Sequence, residues 1–139
     1  MGILINNETS GKERNRLCRV IVAAMRELVR IQNPDDRARD LAACIAVSLG
    51  RIHAGIDGTV EAWEKRDFWK KADRYRMEWE WTLAASERMG AAVLNDDWGA
   101  VAACCMELAG RLSGVVVSEN HRLGTPWDGA YAELVKRHG

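Results

Sequence analysis

Proline is nearly absent from this chain, with Pro34 and Pro126 the only two in 139 residues. Proline breaks the helical hydrogen-bond ladder, so its scarcity leaves room for long helices. Phenylalanine occurs once and tyrosine twice, while Ala, Leu, Arg, Glu and Val are all abundant, a balance that favours helix over strand. Net charge is missing as well. Twenty Lys and Arg balance twenty Asp and Glu, so no global field drives the protein onto nucleic acid or an acidic membrane, and any such binding needs a local patch.

The four cysteines, Cys18, Cys44, Cys104 and Cys105, lack CxxC spacing. The adjacent pair points about 100° apart on a helix and does not jointly grip one metal in the usual way. They read as reduced, buried thiols of a cytosolic protein. The chain has no G-x-S-x-G, and Gly50–Gly58 fits neither a Walker nor a dinucleotide loop. No apolar run approaches the roughly 18 residues of a membrane span. The opening MGILINNETSG has neither the basic start nor the apolar core of a signal peptide, and Asn6 stands where N-myristoylation needs Ser or Thr. The expectation is a soluble, cytoplasmic chain without a cofactor.

What is present is helical periodicity. Residues 1–9 read as a tail and 10–139 as a single domain, a length sufficient for one core. A first helix over 10–32 carries Leu17, Ile21, Ala24, Leu28 and Ile31 as a stripe. Across from it Lys12, Arg16, Arg19, Arg26 and Arg30 fall within about 80° of arc. Asn33-Pro34-Asp35-Asp36 reads as a cap, a first-turn proline and two dipole-matching acids. The stripe Leu41, Ile45, Ser48, Ile52, Ile56, Thr59 and Trp63 then keeps its phase through Gly55 and Gly58, predicting one long helix over 34–66. A loop at 55–58 is the alternative. Ser48, Gly55 and Ala62 make a small-residue line along it.

A third helix over 68–94, opened by Asp67 as cap, places Phe68, Ala72, Tyr75, Trp79, Leu83 and Val93 on its main face, with Met77, Trp81 and Ala84 nearly opposite. A fourth over 98–117 has the stripe Trp98, Val101, Cys105, Leu108, Leu112 and Val115. Its only charges before the end are Glu107 and Arg111, so it reads as buried or at an interface. Thr125-Pro126 opens a short last helix to Arg137, with Trp127, Ala130, Tyr131 and Leu134 as its apolar side. The fold class is therefore all-α, an antiparallel up-down bundle of four long helices plus a short C-terminal helix.

Three functional readings follow. Surplus apolar surface implies protein–protein contacts, chiefly a homodimer, through Met77, Trp81, Ala84, Trp127 and Tyr131. The basic face of the first helix offers phosphate contacts for nucleic acid, to which Lys70, Lys71, Arg74 and Arg76 beside Trp69 and Tyr75 add stacking surfaces. His53, Asp57, Glu61 and Glu64 lie at helical spacing and suggest a weak metal or acid–base site. Against that third reading, di-iron bundles need paired Glu-x-x-His motifs, and Glu61 and Glu64 supply only half of the acid pattern of helical nucleotide pyrophosphohydrolases.

Overall fold

The computed structural model describes the backbone of residues 2–138 and the side chains of residues 11–138. Among them every regular element is a helix: α1 (Gly2–Val29), α2 (Asp36–Ala54), α3 (Ile56–Glu64), α4 (Trp69–Trp79), α5 (Trp81–Leu94), α6 (Trp98–Arg111) and α7 (Ala130–His138). The backbone of the expected tail thus continues the first helix.

The centre of the molecule is α2. Every residue from Leu41 to Leu49 is buried, which requires neighbours on all sides, and α1, α5 and α7 supply them. Small residues set the closest approach. The Ser86 hydroxyl of α5 donates to the Ala46 carbonyl at 2.7 Å, and a Cβ on Gly50 would meet Ser86 Oγ at 3.2 Å. At this point the α2 and α5 backbones come close together. An 18-residue window of the continuous Asp36–Glu64 rod reaches a mean hydropathy of 1.2, and 61% of it is buried within the fold. Its apolarity is therefore largely accounted for by packing.

The joint between α2 and α3 bears out the continuous phase. Gly55 has φ −79° and ψ −12°, ordinary helical values, and its N–H reaches the Arg51 and Ile52 carbonyls. The cap of α2 is Asp35, whose carboxylate accepts from the Ala38 N–H at 2.9 Å. Asp67 does not cap the next helix; it sits at φ +62° and makes the reversal, with the Phe68 N–H closing on the Trp63 carbonyl at 2.9 Å. That tight turn throws Phe68 outward, so it is exposed and not on the core face.

Two further boundaries differ from expectation. Helix α6 ends at Arg111, because Leu112 leaves the helical region (φ −108°, ψ 22°) and Gly114 with three consecutive valines follows. The last helix starts at Ala130 and not at Thr125, since Gly129 takes φ +80°. Donors at its start are satisfied from α2: Asp40 accepts from the Gly129 and Tyr131 N–H groups at 3.2 and 2.9 Å, as an acid at the positive end of a helix should.

Candidate interaction surfaces

The buried side chains fall into two clusters. The larger surrounds α2. The smaller joins α3 to α4 through Ile56, Val60, Ala72 and Tyr75, with Trp63 and Trp79 packed on it. Trp79 touches both clusters.

From that second cluster an aromatic ladder runs toward α5. Trp63 meets Tyr75 edge-on at 5.3 Å between centroids, Tyr75 meets Trp79 at 6.5 Å, and Trp79 stacks on Trp81 at 6.4 Å. Residues two apart on an unbroken helix point about 200° apart. The helix is interrupted at Glu80, where the Thr82 hydroxyl donates to the Trp79 carbonyl at 2.6 Å, and the two indoles meet at this joint. Cations brace the ladder at intervals. The Arg14 guanidinium lies 5.0 Å from Trp79 and 5.5 Å from Tyr75, Lys71 lies 5.3 Å from Trp63, and Arg111 lies 4.6 Å from Trp81. Such contacts stabilise by about 0.5–1 kcal/mol at exposed sites. The ladder ties α1, α3, α4, α5 and α6 together.

These contacts revise the expected interface residues. Trp127 is only 5% exposed and belongs to the core, and Tyr131 packs against that core. Trp81 is half-buried between Trp79 and Arg111. Met77 and Ala84 do remain at the surface.

The first-helix arginines are partly committed to the chain itself. Arg26 donates to the Val117 and Ser118 carbonyls at 2.7 and 3.1 Å, and Arg30 pairs with Glu119 at 2.7 Å. Together they fasten the segment after α6 onto α1. Arg16 pairs with Glu13 at 2.8 Å. Lys12 and Arg19 stay exposed. Three of the five cations of the expected phosphate-binding row, Arg16, Arg26 and Arg30, thus also contact groups of the chain itself.

His53, Asp57, Glu61 and Glu64 are not drawn together either. Asp57 pairs with Arg76 at 3.1 Å and Glu61 with Lys65 at 3.3 Å. Among the described residues no group of three or more His, Cys, Asp or Glu side chains is arranged to hold a metal ion. The cysteines are free, with Cys18 and Cys44 buried. Burial raises all four thiols above the ordinary 9.0, and pushes Cys105 up to about 11. A protonated thiol is a poor nucleophile and a poor ligand.

An apolar concavity lies between the C-terminal half of α1, the connection to α2, and α6. It measures about 500 Å³, and its walls include Met25, Leu28, Val29, Trp98, Cys105 and Met106. Helix α6 packs chiefly on α5, burying only Val101 and Leu108. Its outer side leaves Ala102, Ala103, Met106 and Ala109 in solvent. Met106 is 78% exposed and Val29, across the groove, 80%. The one acid of α6, Glu107, is held by Arg88 at 3.0 Å and Arg111 at 3.7 Å. The charge sparsity of this helix was visible in the sequence, whereas the groove needs the long-range placement of α1 beside it.

No protein-family model, curated protein or solved structure matches this chain.

Proposed function

We propose that this protein is an interaction module that pairs with a second copy of itself through α6 and the α1–α6 groove. The observation that carries this reading is an apolar helix covered on one side only, beside an apolar groove of about 500 Å³. A two-fold contact needs a surface that complements itself. This face offers both a ridge, Met106 flanked by Ala102 and Ala109, and the groove to receive one. Small flanking residues let two helix axes approach to about 8–10 Å.

Charge favours a second copy over an oppositely charged partner. Glu107 is neutralised by two arginines, and Arg26 is spent on two backbone carbonyls. Identical faces can then meet without like-charge repulsion. The same reading takes the α1, α2–α3, α4–α5 and α6 rods as an antiparallel up-down arrangement, supported by their short connections, with α6 at its edge. An accessory or adaptor role, delivered by the dimer in the cytoplasm, fits a chain whose distinctive surface is a docking face.

Met106→Glu tests this. The site is exposed in the single chain, so helicity should stay close to wild type and the melting temperature should fall only by what association adds, while gel filtration should shift from dimer to monomer. A variant that elutes unchanged as a dimer removes this face from the interface.

A further inference from the structure

The turn between α3 and α4 carries the second unusual surface. Trp69 is 57% exposed, and among the described residues no other ring packs on its indole and no cation lies over its face. That sets it apart from the adjacent ladder, where every ring is engaged. Phe68, next to it, is covered by Arg66 at 5.3 Å and Lys71 at 5.8 Å. Trp69 is thus the open aromatic face of the tip. It lines a shallow depression of about 590 Å³ with Asp67, Phe68, Lys70, Lys71 and Arg74.

The electrostatics of this turn differ from those of the rest of the neutral chain. Residues 65–76 hold six Lys and Arg against Asp67 and Asp73. Lys65 and Arg76 are paired with Glu61 and Asp57. Arg66, Lys70, Lys71 and Arg74 have no carboxylate partner among the described residues. Lys70 and Arg74 lie four apart, one above the other on the outer side of α4.

We propose that the α3–α4 tip binds single-stranded nucleic acid, one base stacking on Trp69 while the neighbouring phosphates engage Lys70, Lys71 and Arg74. A flat ring bordered by a row of cations is the combination such strands require, because every base has a π-face and every linkage a negative charge. An anionic membrane fits less well. Interfacial insertion needs a continuous apolar face, and here one ring is free while its neighbour is sheathed in cations. The site differs from the first-helix arginines, of which Arg26 and Arg30 hold the chain's own 117–119 segment.

The test is fluorescence anisotropy of a labelled oligothymidylate titrated with the full chain at about 50 mM salt, where electrostatic binding is strong. Binding should weaken with rising salt at a log–log slope of about −2, three phosphate contacts on a single strand. Trp69→Ala should lower affinity roughly tenfold, the triple change Lys70→Glu, Lys71→Glu, Arg74→Glu should abolish binding, and Arg19→Glu should leave it intact. All these positions are exposed, and far-UV circular dichroism verifies the fold. No binding at low salt overturns the proposal, as does binding that Arg19→Glu removes and Trp69→Ala does not. So does binding to phosphatidylserine vesicles by a chain that ignores the oligonucleotide.

Discussion

From Leu41 to Gly50 helix α2 runs ten residues without a charge, and from Trp98 to Met106 helix α6 runs nine. In α2 the first nine of these are buried; in α6 only Val101 is. The two stretches ask for the same environment, and three helices provide it for one while chiefly α5 does for the other. Apolar composition states how much surface needs covering. It does not state whether the same chain covers it. Burying a Val or Met side chain is worth about 1.5–3 kcal/mol, so Val29 and Met106 retain a driving force that folding has left unused.

The sharpest way to break this comparison is to put the same kind of charge into both helices. Ile45→Asp in α2 should unfold the protein, because an unpaired carboxylate in that core costs more than about 4 kcal/mol. Met106→Asp should give a folded monomer within about 0.5 kcal/mol of wild type when both are melted at dilutions where the wild type is also monomeric. Thermal melts followed by circular dichroism read both. A folded Ile45→Asp protein would show that α2 is not the centre of the structure.

Next in size is the thiol of α6. With its pKa at about 11, against the ordinary 9.0, Cys105 should carry roughly a hundredfold less thiolate near pH 8 than an ordinary cysteine. Its alkylation, read by peptide mass spectrometry, should be correspondingly slow and should rise with pH up to about 11. Fast labelling at neutral pH would contradict the burial that the groove wall gives it.

Removing the clasp made by Arg26, which lines the groove, should have a moderate effect. Arg26→Ala leaves the Val117 and Ser118 carbonyls without their donor and should cost about 1–3 kcal/mol, seen as a lower urea midpoint. Proteolysis should then cut near residues 117–119 first. An unchanged midpoint would mean that the segment is held by its valines alone.

The smallest effect is acid sensitivity. Hydrogen bonds from Arg88 and Arg30 hold Glu107 and Glu119 below the usual 4.5. A carboxylate depressed in the folded state contributes stability above its unfolded value and loses it as pH falls through the folded one. Melting temperature should therefore drop slightly as pH falls below 4.5, and less so in high salt, because both pairs are exposed. A melting temperature that is flat on acidification, or that rises, would contradict these pairings.

Much of the fold is legible in the sequence because phase persists within a helix. The Leu41–Trp63 stripe anticipates the rod through Gly55, and the Trp98–Val115 stripe anticipates which side of α6 turns inward: Val101 and Leu108 are buried, as is Leu112 just past its end. Phase fails where the chain bends. Trp81 reads as opposite to Trp79 only if the helix is continuous at Glu80, and the Thr82 hydroxyl marks a break there. Phe68 reads as core only if Asp67 is a cap and not a reversal at φ +62°. The charged rows were least legible. Whether Arg26 faces a phosphate or the Val117 carbonyl depends on a contact 91 residues away, and no local pattern encodes it. The aromatic stretch from Trp63 to Trp81 stands out in the sequence, yet the chain is built around the plainer Leu41–Leu49.

The central claim is that α6 remains uncovered until a second copy arrives. Sedimentation equilibrium of the wild-type chain over a dilution series reaching tens of micromolar addresses it directly. A mass tending to twice 15.5 kDa at the upper end, and returning to the single-chain value on dilution or with Met106→Glu, is the expected result. A wild-type mass that stays at 15.5 kDa throughout would contradict it.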